Sequence, residues 1–250
     1  MQNVKYLLEK VKSIAEKVGS KFLNSNDINH KNYLYSDTIV NEIKAEADSF
    51  LEAEIFKYLI PLGIPILSEE SGYLAKENDE GYLFIVDPLD GTMNFVRGID
   101  QCAISIALWK NNEPIFGVIY DLSSKKLSWG GKLFGAYHND NLISVSNISD
   151  KRKAIICSGF PVRFDINSPD LMKCFWNKIS AFSKIRMIGC ASVSLVYVAT
   201  GKADVYFEKN IMLWDVAAGL AILIGAGGDY TLNATSVKWS FDIEASNGNL

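Results

Sequence analysis

The stretch YLFIVDPLDGTMNF, residues 82–95, places the strongest constraint on the fold, because an apolar run ends there at two aspartates three positions apart. The apolar run predicts a strand. This strand delivers Asp87 and Asp90 to a cleft, where two carboxylates repel each other unless something compensates their charge. A metal ion is one such compensation, and the rest of the sequence must show whether it is the right one.

Composition and charge exclude several classes of protein. The chain has 250 residues, of which 48% are hydrophobic, enough for a packed core in one large domain or two small ones. The net charge is −4 and no block of Lys or Arg forms a basic stripe, so we expect no nucleic-acid partner. The first 22 residues predict an amphipathic helix rather than a signal peptide. The longest apolar run, from Val216, has about half the length that spans a bilayer, so no membrane partner is expected.

The cysteines and histidines argue against zinc and against a catalytic triad. The four cysteines show no C-x-x-C spacing, which is typical of buried thiols in a reducing compartment, and the protein is predicted to be cytoplasmic. They are Cys102, Cys157, Cys174 and Cys190. The two histidines, His30 and His138, lie in no metal-binding or triad pattern and are interpreted as surface residues.

Helical and strand patterns interleave along the chain, which predicts an α/β or α+β fold with helices covering the sheets. Helices are predicted at residues 1–22, 39–59 and 171–183 and in the runs SVSLVYVAT and DVAAGLAILIGAGG. Strands are predicted in IPILSEES, YLFIVD, a meander over residues 101–131, AIICSGF, residues 185–188 and ADVYFE. The polar stretch 144–153 predicts a boundary between subdomains 1–146 and 147–250.

Three acidic sites each follow an apolar run: the pair Glu69 and Glu70, the pair Asp87 and Asp90, and Asp215. Taken singly, each acid has an ordinary interpretation, since Asp215 could cap a helix and Asp87 could begin a turn. Taken together they lie where site residues gather in open α/β sheets. Carboxylates from three places in one cleft would need cations, and oxygen ligands without His or Cys suit Mg²⁺ or Mn²⁺.

The segment DGTMNF adds an anion-binding element. If a helix begins here, the backbone N–H groups of Gly91 and Thr92 are free to hold an anion beside the metals. Two Mg²⁺ ions sharing Asp87 could clamp a phosphate monoester and lower the pKa of a bound water. The segment therefore predicts phosphoester hydrolysis.

The segments SEES, DPLDGTMNF and WDVAAGLAILIGAGG, in this order, resemble the inositol monophosphatase family. This family belongs to a lithium-sensitive, magnesium-dependent phosphatase superfamily that includes fructose-1,6-bisphosphatase. The segments CSGFPV (157–162), RMIGCASVSLVYVATGKADVYFE (186–208) and ASNG (245–248) extend the resemblance over nearly the whole chain. It implies a layered αβαβα sandwich, a homodimer, and a small phosphorylated substrate.

The resemblance also implies a role for each site residue. The implied ligands are Glu69, Asp87 and the Leu89 carbonyl for one Mg²⁺, and Asp87, Asp90 and Asp215 for a second, with Mn²⁺ as a substitute in vitro. The implied catalytic residues are Glu69, Thr92 and Asp90. The implied phosphate ligands are the amides of Gly91 and Thr92, and the residues implied to line the ring-hydroxyl pocket are Gly189, Ala191 and Glu208. Most metal ligands lie in subdomain 1–146, whereas subdomain 147–250 contributes Asp215 and the substrate pocket.

One position departs from the family pattern. The family's first helix carries DLVTxxD, whose last Asp supports a third, weakly held Mg²⁺ and polarises the threonine of the DGT motif. The corresponding run here is TIVNEIK, which places Lys44 at that Asp. We expect the Lys44 ammonium to stand where the third cation would, although with a lowered pKa it could act as a base. A shifted alignment would instead turn Glu42 or Asp48 toward the site.

Two functions remain open from the sequence. The first is a Mg²⁺-dependent phosphatase that hydrolyses a small polyol phosphate monoester, either an inositol monophosphate or a sugar phosphate. The second is a non-catalytic relative that binds a phosphorylated ligand or another protein, suggested by Lys44. Relatives that act as 3′(2′),5′-bisphosphate nucleotidases usually carry Lys-Glu-Phe after DGT, whereas this chain has MNF, residues 93–95. Fructose-1,6-bisphosphate and histidinol phosphate stay open as alternative substrates.

Overall fold

The computed structural model describes residues 2–25, 37–75, 80–160 and 167–250, with the side chains of the second range described from residue 46 onward. Lys44 therefore lies in a described helix, but its side chain falls outside the described residues, as does that of Glu42. His30 lies outside the described ranges. The expectation that Lys44 faces the site stays a prediction.

The described ranges contain six helices and thirteen strands. The helices are α1 (Gln2–Asn24), α2 (Asp37–Leu59), α3 (Thr92–Arg97), α4 (Pro169–Ser180), α5 (Ala191–Ala199) and α6 (Leu213–Gly225). The strands are β1 (Ile66–Ser68), β2 (Gly72–Leu74), β3 (Tyr82–Asp90), β4 (Ala103–Lys110), β5 (Glu113–Asp121), β6 (Lys126–Gly131), β7 (Gly135–His138), β8 (Asn141–Leu142), β9 (Ile155–Ser158), β10 (Lys184–Arg186), β11 (Val205–Met212), β12 (Asp229–Ala234) and β13 (Ser240–Ser246). Short 3-10 turns cover Ile60–Leu62 and Lys151–Lys153.

The described strands form two sheets. The first has the order β2-β1-β3-β4-β5-β6-β7-β8, and the second has the order β10-β9-β11-β13-β12. The chain passes from the first sheet to the second between Leu142 and Ile155, a segment that contains the polar stretch 144–153. The division into two subdomains stays a prediction.

Three hydrophobic cores separate five layers, and they confirm the expected αβαβα sandwich. The first core lies between α1 and α2 and one face of the first sheet. The second lies around α5 and α6, which are packed between the two sheets. The third lies between the outer face of the second sheet and α4.

The sequence of α5 and α6 explains why these two helices form the central layer. Eight of the nine residues of α5 are buried. Nine residues of α6 are buried, among them three alanines and several large aliphatic side chains. A helix that is apolar on all sides must be covered on all sides, so α5 and α6 belong between two sheets. The amphipathic α1 buries only one stripe, including Leu8, Val11 and Val18, and therefore covers one outer face.

Two details of the expectations are wrong. The helix predicted at residues 171–183 begins at Pro169, because the Ser168 hydroxyl accepts the Leu171 N–H at 3.5 Å and caps it, and it ends at Ser180. Cys174 is exposed on this helix, whereas the other three cysteines are buried as expected. His138 is half-buried, and its Nδ1 lies 2.8 Å from the Ser128 hydroxyl.

Within the described ranges, no helix combines the length and the apolar character that a bilayer-spanning segment needs.

Candidate active site

A bulge in β3 turns two of the predicted ligands toward the same side of the sheet. Asp87 lies opposite Ser105 of β4 and Asp90 lies opposite Ala103, so β3 advances three residues while β4 advances two. Residues three apart in a regular strand face opposite sides, but the extra residue returns Asp90 to the side that Asp87 faces. This side packs on α5 and α6, because Ile85, two residues before Asp87, belongs to the core around these helices.

Glu69 and Asp215 reach the same place from two other elements. β1 runs parallel to β3, and Glu69 directly after β1 donates its backbone N–H to the Val86 carbonyl at 3.2 Å. Asp215 is the third residue of α6, and its Oδ2 accepts the Met212 N–H at 3.1 Å. The interpretation of Asp215 as the helix N-cap is therefore wrong, since Met212 occupies the cap position.

These side chains form an acidic cluster in which Asp87 is buried and Glu69 and Asp215 are half-buried. Glu69, Asp87 and Asp215 each present a carboxylate oxygen, and the three atoms lie within 4.8 Å of one another. Burial, reinforced by the charges of three neighbouring carboxylates, raises the pKa of Asp87 well above its ordinary value. Burial and the charges of Asp90 and Glu69 raise the pKa of Asp215 in the same direction.

The cluster fits a hard divalent cation. Asp87 is 1% exposed, its Oδ1 accepts the Leu89 N–H at 3.0 Å, and its Oδ2 is buried without a hydrogen-bond partner. A buried carboxylate oxygen without a partner is costly unless a cation or a donor reaches it. The surrounding ligand atoms are oxygens, which Mg²⁺ and Mn²⁺ prefer.

Asp90 lies in the same cleft but is held by the N-terminus of α5. Its Oδ2 accepts the Ser192 N–H at 2.6 Å and the Cys190 thiol at 3.1 Å. Burial raises the pKa of Asp90 above its ordinary value, although these donors oppose the rise. Burial and the Asp90 charge also raise the pKa of Cys190, so its thiol keeps its proton and acts as a donor.

The turn after Asp90 begins a short helix, which is the condition on which the expected anion-binding element depends. Gly91 is the N-cap of α3 with a φ of 81°, and a Cβ there would lie 2.6 Å from the Gln101 carbonyl oxygen, so only glycine fits. Thr92 donates its hydroxyl to the Leu89 carbonyl at 2.8 Å. The N–H groups of a first helical turn have no partner within the helix, which leaves this turn able to hold an anion.

Glu208 forms a separate acidic wall of the cleft. It lies in β11, and its Oε2 accepts the Tyr206 hydroxyl at 2.6 Å. Burial raises the pKa of Glu208 to about 7, although hydrogen bonds from Tyr206 and the Gly159 backbone oppose the rise. A Cβ on Gly159 would lie 2.0 Å from Glu208 Oε2, so this glycine makes room for the carboxylate.

One cavity of about 290 Å³ unites the predicted site. The predicted ligands and pocket residues that line it are Glu69, Asp87, Leu89, Asp90, Gly91, Thr92, Gly189, Ala191, Glu208 and Asp215. Asp48, the alternative to Lys44, is buried on α2 and is not among the described residues that line the cavity.

Sequence reasoning missed the residues that support this cavity. Cys190 was interpreted only as a buried thiol, and Tyr206, Gly159 and Ser192 received no role. Cys190, Ser192 and Tyr206 lie in the family segment 186–208, within two residues of a predicted site residue. This closeness is the signal that could have identified them. Gly159, in CSGFPV, is far from Glu208 in sequence and only the pairing of β9 with β11 brings the two segments together.

The layered fold and the acid-lined cleft define the class of the protein, which is a phosphoric monoester hydrolase. A model of the inositol monophosphatase family matches residues 1–249, and the chain belongs to that family. The family is metal-dependent, and the acidic cluster is a group that could bind a metal.

Individual relatives agree with this assignment. The chain is 33% identical over 234 residues to a fructose-1,6-bisphosphatase/inositol-1-monophosphatase of Aquifex aeolicus, an alignment that covers 93% of this chain and 88% of the relative. It is 37% identical over 163 residues to the Nus factor SuhB of Xylella fastidiosa, covering 65% of this chain and 58% of the relative. The solved inositol monophosphatase of Anabaena superposes with a TM-score of 0.81 at 31% identity, covering 99% of this chain and 92% of that one.

Proposed function

We propose that the protein is a Mg²⁺-dependent phosphatase that hydrolyses a small polyol phosphate monoester, such as an inositol monophosphate or a sugar phosphate. The observation that carries the proposal is the set of three carboxylate oxygens within 4.8 Å of one another. Like charges gathered this closely in a buried place oppose folding, so a divalent cation explains why the chain keeps them.

The residues that would hold two Mg²⁺ ions are Glu69, Asp87, the Leu89 carbonyl, Asp90 and Asp215. When bound there, Mg²⁺ supplies Lewis-acid chemistry that activates water and neutralises the charge developing on the phosphate and its leaving oxygen. The Leu89 carbonyl has two lone pairs, so it can accept the Thr92 hydroxyl and still serve as a ligand. Glu69 and Asp90 are proposed to share the catalytic role with Thr92.

The α3 turn is proposed to orient the phosphate. The backbone amides of Gly91 and Thr92 stand beside the acidic cluster in the same cavity. They would bind phosphate oxygens and fix the direction in which the ester bond faces the attacking water. The Thr92 hydroxyl donates to the Leu89 carbonyl and would orient that water with its free lone pairs.

Glu208 supports the assignment of a polyol. A carboxyl group accepts hydrogen bonds in either protonation state, so it suits the hydroxyl groups of a ring, and in its ionised form it opposes a second phosphate. Tyr206 already donates to Oε2, which leaves the remaining acceptor positions of Glu208 for the substrate. Gly189 and Ala191 are proposed to complete this pocket.

The proposal is tested by phosphate release from inositol phosphates, sugar phosphates, nucleotide bisphosphates and histidinol phosphate at several Mg²⁺ concentrations. We expect release that requires Mg²⁺, that favours polyol monophosphates, and that disappears in Asp90→Asn. Asp229→Asn, which changes an exposed acid of β12, is the matched control and should keep full activity. Absence of release across the whole panel would contradict the proposal.

The Lys44 ammonium is proposed to replace the third cation of the family. Mg²⁺ activation and inhibition curves of the native protein and of Lys44→Asp should then differ, because the new carboxylate restores a weak cation site. Coinciding curves would show that Lys44 does not act at the site.

A second candidate function is a non-catalytic role, favoured by the relative named Nus factor SuhB. It would be supported if the protein binds Mg²⁺ but releases no phosphate from any ester in the panel. A homodimer is likewise proposed from the family resemblance, and a cytoplasmic location from the cysteine pattern; light scattering of the purified protein would test the dimer.

A further inference from the structure

Two buried polar atoms without hydrogen-bond partners face each other across β3 and β4. Asp87 and Ser105 are directly opposite in the register of the two strands. Each is 1% exposed. Asp87 Oδ2 and Ser105 Oγ are both among the buried side-chain atoms that make no hydrogen bond. Buried polar groups are almost always hydrogen-bonded, so an opposed pair of exceptions requires a physical reason.

The strand geometry places the Ser105 hydroxyl on the side of the acidic cluster. Directly opposite residues of an antiparallel pair share one face of the sheet, with Cβ atoms about 4.5–5.5 Å apart. Ala103 and Ala107, two positions to either side of Ser105, belong to the core around α5 and α6. Ser105 therefore faces the layer from which Asp215 reaches the cluster.

The chemistry of the two groups is complementary. Asp87 Oδ1 already accepts the Leu89 N–H at 3.0 Å, so Oδ2 is the oxygen that lacks a donor. The structure shows no hydrogen bond between Ser105 Oγ and this oxygen, so the serine would reach it by a change of side-chain rotamer. A donor to Oδ2 would fix the orientation of the carboxylate, as partners that support a metal ligand usually do.

We propose that Ser105 is a positioning residue for the metal centre, whose hydroxyl donates to Asp87 when a cation is bound and so fixes the orientation of this carboxylate. The inference rests on the proposed function. It differs from a purely structural role, in which Ser105 is merely a small residue between Ala103 and Ala107 beneath α6. If that were its only role, alanine would serve equally well at position 105.

Metal affinity and metal-free stability separate the two roles. Metal-stripped protein is titrated with Mg²⁺ by calorimetry and with Mn²⁺ by electron paramagnetic resonance, and its melting temperature is measured without metal. Ser105→Ala should weaken metal affinity by about tenfold or more, as loss of a residue that supports a ligand usually does. Its metal-free melting temperature should be unchanged or higher, because the substitution removes a hydroxyl that has no partner.

Ser128→Ala is the matched control. Ser128 is a buried serine of β6 in the same sheet, but its hydroxyl has a partner, since it lies 2.8 Å from His138 Nδ1. Its replacement should lower the melting temperature and leave metal affinity unchanged. Ser105→Cys, which keeps a weaker donor, should have a metal affinity between those of the wild type and Ser105→Ala. If the alanine variant does not fold, the cysteine variant is used for the test instead.

The outcomes distinguish this inference from the function on which it rests. If the wild-type protein binds neither Mg²⁺ nor Mn²⁺, both the proposed function and the inference are wrong. If the wild type binds but Ser105→Ala binds within twofold of it, the inference is overturned and the proposed function stands. A lowered metal-free melting temperature with unchanged affinity would assign Ser105 a structural role and would also overturn it.

Discussion

Two regions of the molecule shield a carboxylate from solvent, and they treat its charge in opposite ways. Between α1 and α2, Glu54 accepts hydrogen bonds from Lys21, at 2.8 Å, and from Lys57. These lysines lower the pKa of Glu54 below its ordinary value. In the cleft, by contrast, burial and neighbouring acids raise the pKa of Asp87.

The difference separates an acid that serves the fold from acids that serve a site. Glu54 receives its compensating charge from the chain itself, so its ionisation favours the folded state. Asp87 is gathered with Glu69 and Asp215, so its ionisation opposes folding until a cation is bound. A buried carboxylate surrounded by other carboxylates thus indicates a ligand site, whereas a buried carboxylate paired with lysines does not.

The largest effect should come from neutralising one acid in each region. Asp87→Asn should reduce phosphatase activity by at least about a thousandfold, because a shared cation ligand is lost. The same change should raise the metal-free melting temperature at pH 8, since it removes like-charge repulsion.

Glu54→Gln should lower the stability of the protein and leave its activity intact, which is the opposite of the effect expected for Asp87→Asn. We expect a loss of about 1 kcal/mol or less in the free energy of unfolding, because its lysine partners are exposed, and no change in activity. Denaturant unfolding and phosphate release measure both. Equal behaviour of the two variants in either assay would erase the contrast between the regions.

Next in size is the pH dependence contributed by Glu208. Its folded-state pKa of about 7 lies above its ordinary value of 4.5. The stabilisation it contributes is therefore fully present below pH 4.5 and is lost as the pH rises through 7, by an amount of up to about 3 kcal/mol. Glu208→Gln should flatten the stability of metal-free protein between pH 5 and 8, measured by urea unfolding. An unchanged pH profile would show that Glu208 titrates normally.

A smaller effect is expected at Gly159. In Gly159→Ala the new Cβ would displace the Glu208 carboxylate, so KM for an inositol or sugar phosphate should rise by roughly tenfold with a smaller change in kcat. A substrate without ring hydroxyls, p-nitrophenyl phosphate, is the control and should keep its KM. A parallel rise in KM for both substrates would mean that Glu208 does not contact the hydroxyl groups.

The smallest effect should follow removal of one lysine from Glu54. Lys21→Met should lower the free energy of unfolding by about 0.5 kcal/mol, and less at high salt, because the Lys21 side chain is 55% exposed. Urea unfolding at two salt concentrations measures the loss. A salt-independent loss would point to packing of the lysine stem instead of charge.

Much of the fold could be predicted because apolar patterns determine layers. The all-round apolar sequence of α6 requires a buried helix, and the apolar run of β3 requires a central strand. Strands β12 and β13 were not predicted, since half-exposed residues such as Tyr230 and Leu232 give a weak alternation. The pairing of β13 with β11, and of β12 with β13, depends on the rest of the fold.

The site was predictable in its residues but not in its geometry. The spacing of Asp87 and Asp90 would place them on opposite faces of a regular strand, and only the register with β4 reveals the bulge that unites them. Ser105 carries no chemical signal in the sequence, because a serine within an apolar strand is ordinary. Its significance comes from the carboxylate opposite, which is distant in sequence.

The most direct test of the account is a Mg²⁺ titration of the melting temperature at pH 8 for the wild type and Asp87→Asn in parallel. Without metal, the wild type should melt below the variant. At a Mg²⁺ concentration of about one hundred times its Kd, the melting temperature of the wild type should rise by about 5 °C or more. It should then exceed that of the variant, whose melting temperature should hardly change. The claim is that the negative charge of the cluster stays uncompensated until a cation binds. It would be contradicted by a wild type that melts above the variant without metal, or by a wild-type melting temperature that does not respond to Mg²⁺.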